Sequence, residues 1–552
     1  MSRQPSSPAF LPRALRAGAW LLAPLVAHLA FSWIGFCPTD DGWLPAVARR
    51  IADGEVPHRD FIFVRPALSA ILQVPLVWWA GDHVMALSRL WGWLTLAAIA
   101  WIWSWRVASD ESPATRYALY LAAFAFGAHT FPVMAWHTID GLLFGSLAVA
   151  AAGRGTPGGR RVGFLLVGTA ALCRQNFGLF APWLLLAVGG RPRDWLAAAG
   201  WSLVPVAAYF TVMAAAGAGA DFLHQVAATG GGLLFHVGIQ RFLGDPGYLV
   251  ALVAGTGLGW VHHRSSSAAL RWPVLLVIGS ALAYSLSRGP WWFAETAFLF
   301  HGLVAGVTLI RLRHLASTDR LTAIGALGLA WTSAISLGYN TPALASGLLW
   351  LATWRLLRVP AETADTSGQP RLLLPATAGL AVAALAFARP LHPYMDRPVR
   401  ELTHDAGTAL AGAAGLRTNA VTHATLADLT GILRNLDATG RPYVVLTDCA
   451  AVWIRNPRRN PLPCEWPQET ELGFDRELFG RVFRALRELP PEARIVTQRY
   501  LIADGTWRFA PIPPDSAYYF VQNWVRQNCQ PAGETPFFTL YHPPRPPPLK
   551  AP

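Results

Sequence analysis

The sequence predicts a polytopic α-helical membrane protein with about thirteen spans and a C-terminal α/β domain outside the membrane. Three observations predict it. Hydrophobic residues make up 53% of the chain and charged residues only 14%, well below the roughly one quarter expected of a soluble domain. Apolar runs near twenty residues, each enough to cross about 30 Å of hydrocarbon, recur from Leu15 to Ala388. After Arg389 short helical and strand patterns replace them. The chain therefore divides into residues 1–388, which carry the spans and a first outer loop at 37–82, and residues 389–552.

The net charge of +13 does not make a nucleic-acid footprint. Lys550 is the one lysine, and many of the arginines stand in short loops. These groups are Arg13 with Arg16, Arg106 with Arg116, Arg154 with Arg160 and Arg161, Arg191 with Arg193, Arg264 with Arg271, Arg311 with Arg313, and Arg355 with Arg358. Placing them all in the cytoplasm satisfies the positive-inside rule. The first apolar run is followed by charges rather than a small-residue cleavage site, so it reads as a retained helix.

The spans then follow in order. Leu15 to Phe36 leads outward, which puts 37–82 outside. In that loop Leu44, Val47, Ala48 and Ile51 share one helical face, the pattern of a helix lying on the membrane surface. Ala67 to Ala80, with Pro75, is short for a span and reads as a second surface or re-entrant helix. His83 to Trp105 returns, Tyr117 to Trp136 goes out and Ile139 to Ala152 returns. Val162 to Gly190 has basic residues on both flanks and Arg174-Gln175-Asn176 at its centre. A charge at mid-bilayer costs a few kcal/mol, so this stretch reads as two short spans turning at Arg174. Trp195 to Ala216 goes out, and Gly217 to Gly247 reads as an outer loop with glycine turns at Gly230-Gly231-Gly232. Five further runs complete the set: Tyr248–His262, Trp272–Ser287, Phe293–Ile310, Leu321–Gly338 and Ala343–Leu357, before the last, Leu372–Ala388. The N-terminus is expected inside and the C-terminus outside, with a polar linker from Pro360 to Pro370.

In 389–552 the expected helices are Leu426–Leu436, Leu478–Leu486 and Ala517–Val525. The expected strands are Tyr443–Thr447, Arg494–Thr497 and Phe537–Tyr541. The end, Pro543 to Pro552, reads as an unstructured tail. Of the five cysteines, Cys449 and Cys464 are the natural local disulfide pair in an oxidising compartment. No clustered His or CxxC accompanies them, so they do not read as a zinc site.

Chemistry concentrates in the first outer loop. It contains Asp40-Asp41-Gly42-Trp43, then Gly54-Glu55-Val56-Pro57-His58-Arg59-Asp60-Phe61, then Arg65-Pro66. This pattern resembles the first outer loop of GT-C glycosyltransferases, in particular bacterial relatives of the protein mannosyltransferases and of the aminoarabinose transferase that modifies lipid A. Asp41 stands where Glu is common in that family and Arg65 where Lys is common. The resemblance implies a bacterial inner-membrane enzyme. Its donor would be a sugar on a polyprenyl phosphate, and its acceptor an extracytoplasmic glycolipid, polysaccharide or protein. The mechanism would be direct displacement with inversion at the anomeric carbon.

A carboxylate near the interface can deprotonate an acceptor hydroxyl, so Asp40 and Asp41 are the catalytic candidates, with Asp40 matching the first acid of the family's pair. The bland alternative is that one of them caps the following helix. Arginine can hold the departing phosphate with bidentate contacts; Arg65, Arg288 and Arg59 are the candidates, and Arg59 and Arg65 could equally anchor on lipid headgroups. Candidate substrate contacts are Asp60, His137, Asp140, Arg174, Gln175, Asn176 and Glu295, ionisable or polar residues near the outer side. Asp60 could instead form an ordinary ion pair. No cofactor is implied; a divalent cation is compatible with the acids, although no dedicated ligand cage is visible. The competing class is a transporter or lipid flippase, which would favour repeats and ionisable residues at mid-membrane.

Overall fold

The computed structural model describes residues 13–128, 133–189, 191–265, 268–336, 339–357, 373–468, 471–473, 475–503, 506–516 and 518–544. The linker expected at Pro360–Pro370 and most of the proline-rich end lie outside these residues. The described chain is mainly helical, with twenty α-helices and a small sheet in its C-terminal part.

Among the described residues four helical stretches are long and apolar enough to cross a membrane: Gly81–Val107, Arg193–Ala215, Pro290–His314 and Leu373–Leu391. Shorter apolar helices include Trp20–Phe31, Leu68–Trp79, His137–Ala152, Gln175–Val188 and Arg271–Ser287. The helix Pro157–Cys173 ends where a break is expected. Arg174 is extended, at φ −159° and ψ 126°, and a short 3-10 turn then leads into the helix Phe180–Val188. The surface-helix pattern becomes the helix Trp43–Ala52, and the proline-containing piece becomes the helix Leu68–Trp79.

The stretch expected to turn at Gly230-Gly231-Gly232 is a correction. It is helical, from Gly219 to Leu233, and continues as a π-helical segment from Leu234 to Gln240. Tertiary contacts override the low helix propensity of glycine. Gln225 on this helix is fully buried, and its side chain takes the backbone N–H of Phe63 at 2.9 Å and donates to His58 O at 2.7 Å. The helix is thereby tied to the first outer loop.

The C-terminal part has a four-stranded sheet in the order Tyr443–Leu446, Arg494–Gln498, Phe538–Tyr541, Pro531–Glu534. The first pair is parallel and the other two are antiparallel. The helices Ala420–Ala438, Arg476–Arg487 and Phe520–Asn528 accompany it. Val445 faces one core and Val444 and Leu446 the other, as strand alternation requires.

The core on the Val445 side does not respect the boundary drawn at residue 389. Trp43, Leu44, Val47 and Phe63 of the outer loop share it with Leu429, Trp453, Trp466 and Phe538. Polar contacts add to this. Arg50 is buried and bonds Glu465 at 3.1 Å and Leu462 O at 2.8 Å, while the Ile62 N–H reaches Pro463 O at 2.5 Å. The 37–82 loop and the C-terminal part are one packed unit.

All five cysteines are buried free thiols, which corrects the expected Cys449–Cys464 disulfide. Cys449 packs in the core on one face of the sheet and Cys464 in the core on the other, so proximity in sequence is not proximity across the layer. Native protein treated with iodoacetamide should label none of the five rapidly, and all five after unfolding without reductant. A Cys449–Cys464 peptide in non-reduced digests would overturn this assignment.

Candidate functional site

The two adjacent acids have separate environments. The chain leaves its first helix, Arg13–Phe31, through Ser32 to Gly35, and Arg89 of the helix Val84–Val107 lies beneath that exit. The Arg89 guanidinium donates to Ser32 O, Ile34 O and Gly35 O at 2.6, 3.1 and 2.7 Å, and to Asp41 Oδ2 at 2.7 Å. Asp41 also accepts the Cys37 N–H at 2.9 Å, and both members of the Arg89–Asp41 pair are buried. Asp41 is therefore committed to shaping the loop. Neither acid caps the next helix: its N-cap is Gly42, at φ 80°, with no side-chain cap bond. A Cβ at Gly42 would meet Ala451 Cβ at 2.7 Å and Ile454 Cδ1 at 2.8 Å, so only glycine fits between the loop and the C-terminal part.

Asp40 is half-buried. Its Oδ2 accepts the Tyr394 hydroxyl at 2.8 Å and faces the Cys37 thiol at 3.8 Å, while Oδ1 has no partner among the described residues. Burial pushes its carboxyl up to about 6, a rise that the Tyr394 hydrogen bond opposes and the neighbouring charges of Asp41 and Asp448 reinforce. Tyr394 is set by a sharp turn. Met395 takes φ 52°, and the next residue, Asp396, accepts the Phe36 N–H and the Thr418 and Asn419 side chains at 2.8, 2.7 and 2.7 Å. Tyr394 and Asp396, two residues apart after the helix Leu373–Leu391, thus grip the start of the 37–82 loop on either side of Cys37.

Asp448 follows the first sheet strand at its C-terminal end. It is buried and satisfied, accepting Gln468 at 2.5 Å and the Tyr519 hydroxyl at 2.8 Å. Burial raises its carboxyl. Tyr518 lies within electrostatic reach of Asp448, Asp40 and Cys37, and burial raises its phenol, with these charges adding to the rise. Asp40, Tyr394, Asp448, Tyr518 and Tyr519 therefore gather at one place, drawn from four separate stretches of sequence.

A second group, cationic, is built around Trp43. Arg65 pairs with Glu471 at 2.7 Å and stacks over the Trp43 ring at 4.9 Å and the Phe63 ring at 5.7 Å. Its Nη1 is buried without a partner. Trp43 itself stacks on Trp466 at 4.6 Å and meets His137 edge-on at 6.0 Å. Arg174 is buried, donates to Thr138 Oγ1 at 2.8 Å, and lies within electrostatic reach of Arg65, His137 and Glu471. Two guanidinium groups thus face a single carboxylate, an excess of positive charge that suits an anion.

The other expected residues lie elsewhere or are otherwise engaged. Gln175 donates to Val64 O at 3.1 Å, and Asn176 bonds the carbonyls of Thr332 and Ile335, so both hold backbone. Asp140 is buried and accepts the Trp91 indole N–H at 3.1 Å. Arg59 is exposed and paired with its neighbour Asp60, which also takes the Val56 N–H. Arg288 is exposed over the Trp292 ring, and Glu295 pairs with Arg241 at the surface.

His58 is the keystone of the Gly54–Phe61 segment. It is fully buried in the left-handed region at φ 72°, bonded to Tyr209 at 2.9 Å, and burial lowers its imidazole to about 4. It is neutral at physiological pH and serves packing rather than charge.

Sequence reasoning missed Arg89, Tyr394, Asp448, Glu471 and the two tyrosines. Arg89 carried a signal, as a lone charge inside an apolar run. So did Asp448, polar at the end of a buried β-branched run. Nothing local marks Tyr394. Among the described residues no three His, Cys, Asp or Glu side chains come together as a metal cage. No family model and no curated protein sequence matches the chain.

Proposed function

We propose that the protein is a membrane glycosyltransferase of GT-C type, moving a sugar from a polyprenyl-phosphate donor to an extracytoplasmic acceptor. In this reading about thirteen helices cross the membrane, with the N-terminus inside and the outer loop and C-terminal part outside. One observation carries the reading: a half-buried carboxylate, Asp40, raised to about 6 with one free oxygen, three residues before Trp43, the ring on which Arg65 of a buried group with excess positive charge is stacked.

The chemistry follows from those two features. Asp40 Oδ1 takes the proton of the acceptor hydroxyl as its oxygen bonds the anomeric carbon. The bond from that carbon to the phosphate oxygen breaks, and the polyprenyl phosphate leaves with the electron pair. Arg65 and Arg174 stabilise the charge that develops on it. Tyr394 orients the Asp40 carboxylate and leaves the other oxygen for the acceptor.

The test is transfer of radiolabelled sugar from a panel of polyprenyl-phosphate donors by the purified protein. Only ionised Asp40 can accept a proton, so transfer should be flat above pH 7 and fall about tenfold per pH unit below about 6. Substrate flux in liposomes with no transfer from any donor would instead support a transporter, and a rate independent of pH between 5 and 8 would remove Asp40 as base.

A further inference from the structure

The helix Leu68–Trp79 is apolar except at Ser69 and Gln73. These two stand one turn apart and so share one face. That face is the buried one. Each is 1% exposed, whereas Ile71, Trp78 and Trp79 of the same helix are exposed. Polar groups on the inner face of an otherwise apolar helix call for partners, because a buried polar atom left unpaired is costly. Among the described residues they have none. The Gln73 Oε1 and Nε2 and the Ser69 Oγ are all buried and make no hydrogen bond.

An acid meets this face. The helix Leu68–Trp79 packs on the helices Val84–Val107, His137–Ala152 and Pro157–Cys173. Ser69 lies beside the Asp140 carboxyl and the Cys173 thiol, with its hydroxyl aligned for a hydrogen bond to neither. Asp140 is 1% exposed. Its Oδ1 accepts the Trp91 indole N–H at 3.1 Å, and its Oδ2 has no partner among the described residues. The groups that act on this carboxylate, the Trp91 indole and the Ser69 hydroxyl, are neutral. A buried carboxylate needs a compensating charge. A proton on Oδ2 answers that atom and leaves the Gln73 and Ser69 oxygens as they are. A cation is met by all three oxygens at once. Carboxylate, hydroxyl and amide oxygens are hard ligands, suited to alkali and alkaline-earth ions rather than to zinc or copper. One carboxylate balances one charge, and a bare monovalent ion takes less room than a water molecule, as close packing between helices requires.

We infer that Asp140, Ser69 and Gln73 bind one sodium ion, which pins the helix Leu68–Trp79 against its neighbours. The proposed chemistry at Asp40 does not use this place, so the inference stands whether or not the protein transfers sugars.

The experiment is equilibrium binding of radioactive sodium to the purified full-length protein in detergent, paired with thermal unfolding in sodium chloride and in choline chloride at equal ionic strength. Saturable binding of one ion per chain is expected. Unfolding should come at a higher temperature in sodium chloride, because a ligand that binds only the folded chain stabilises it. Asp140→Asn should weaken sodium binding by about tenfold or more and abolish the difference between the two salts. Gln73→Met, similar in size but without a hard oxygen, should weaken binding too. Asp82→Asn should not, because Asp82 is an exposed acid just beyond the same helix. No saturable binding by the unaltered protein, with equal unfolding temperatures in the two salts, would overturn the inference without any variant and would leave Asp140 as a protonated acid. Displacement of the sodium by an equal concentration of magnesium would overturn the monovalent assignment. Equal loss in Asp82→Asn and in Asp140→Asn would also overturn the inference, because it would reduce the effect to general surface charge.

Discussion

Asp40→Asn is expected to lower sugar transfer by about 10²-fold or more while making the folded protein more stable at pH 8. The two effects have one cause. The Asp40 carboxyl is raised by burial from its ordinary 3.8 to about 6 in the folded protein. Below pH 3.8 it is protonated in both folded and unfolded chains, and it contributes no difference. Between 3.8 and 6 the unfolded chain ionises first, so folding stability falls as pH rises, and above 6 the loss is complete. The loss is on the order of 1–3 kcal/mol. Asparagine carries no charge to bury and still offers an oxygen to the Tyr394 hydroxyl. Chemical denaturation of both proteins at pH 4.5 and pH 8 should show a gain that is clearly larger at the higher pH. Arg65→Gln should behave differently, weakening donor affinity as well as turnover, because a phosphate contact acts before the chemical step and during it. Near-normal transfer by the Asn variant would send the search for a base to Asp448 and Asp140.

Asp41→Asn is expected to fail in another way. Its partner Arg89 is 2% exposed and spends its other donors on the carbonyls of Ser32, Ile34 and Gly35. Removing the Asp41 charge leaves a buried guanidinium uncompensated, which costs about 3–5 kcal/mol. The first outer loop should loosen with it, since the Cys37 N–H also loses its charged acceptor. Thermal unfolding in detergent should therefore drop sharply for Asp41→Asn and for Arg89→Met taken singly. The double variant should recover part of the loss, because the two residues share one interaction. Strict additivity of the two losses would mean that the ion pair is not what holds the loop. An unstable Asp41 variant beside a stable, inactive Asp40 variant would separate the roles of two acids that sequence alone presents as equivalent.

The pattern of apolar runs by itself determined that the chain is mainly helical, with helices long and apolar enough to cross a membrane, because a run of apolar residues near twenty long is a local property of the sequence. It also located the break at Arg174, since a central charge between two basic flanks is local too. The strands Tyr443–Leu446, Arg494–Gln498 and Phe538–Tyr541 were legible from short apolar and β-branched runs for the same reason. The acidic pair marked the site, but its division of labour did not follow from spacing. Only the tertiary structure decided that Arg89 takes Asp41 and that Tyr394, more than 350 residues away in sequence, takes Asp40. It alone decided that Gly230-Gly231-Gly232 is helical, because the buried Gln225 ties that helix to the His58 segment. The thiols of Cys449 and Cys464 stay apart because they lie in different cores on the two sides of a sheet. Sequence proximity carries no information about which face of a sheet a residue will join once the chain has turned. The joining of the outer loop to the C-terminal part is of the same kind: Trp43 and Trp466 stack because burying two indole rings together outweighs the order in which the chain was written.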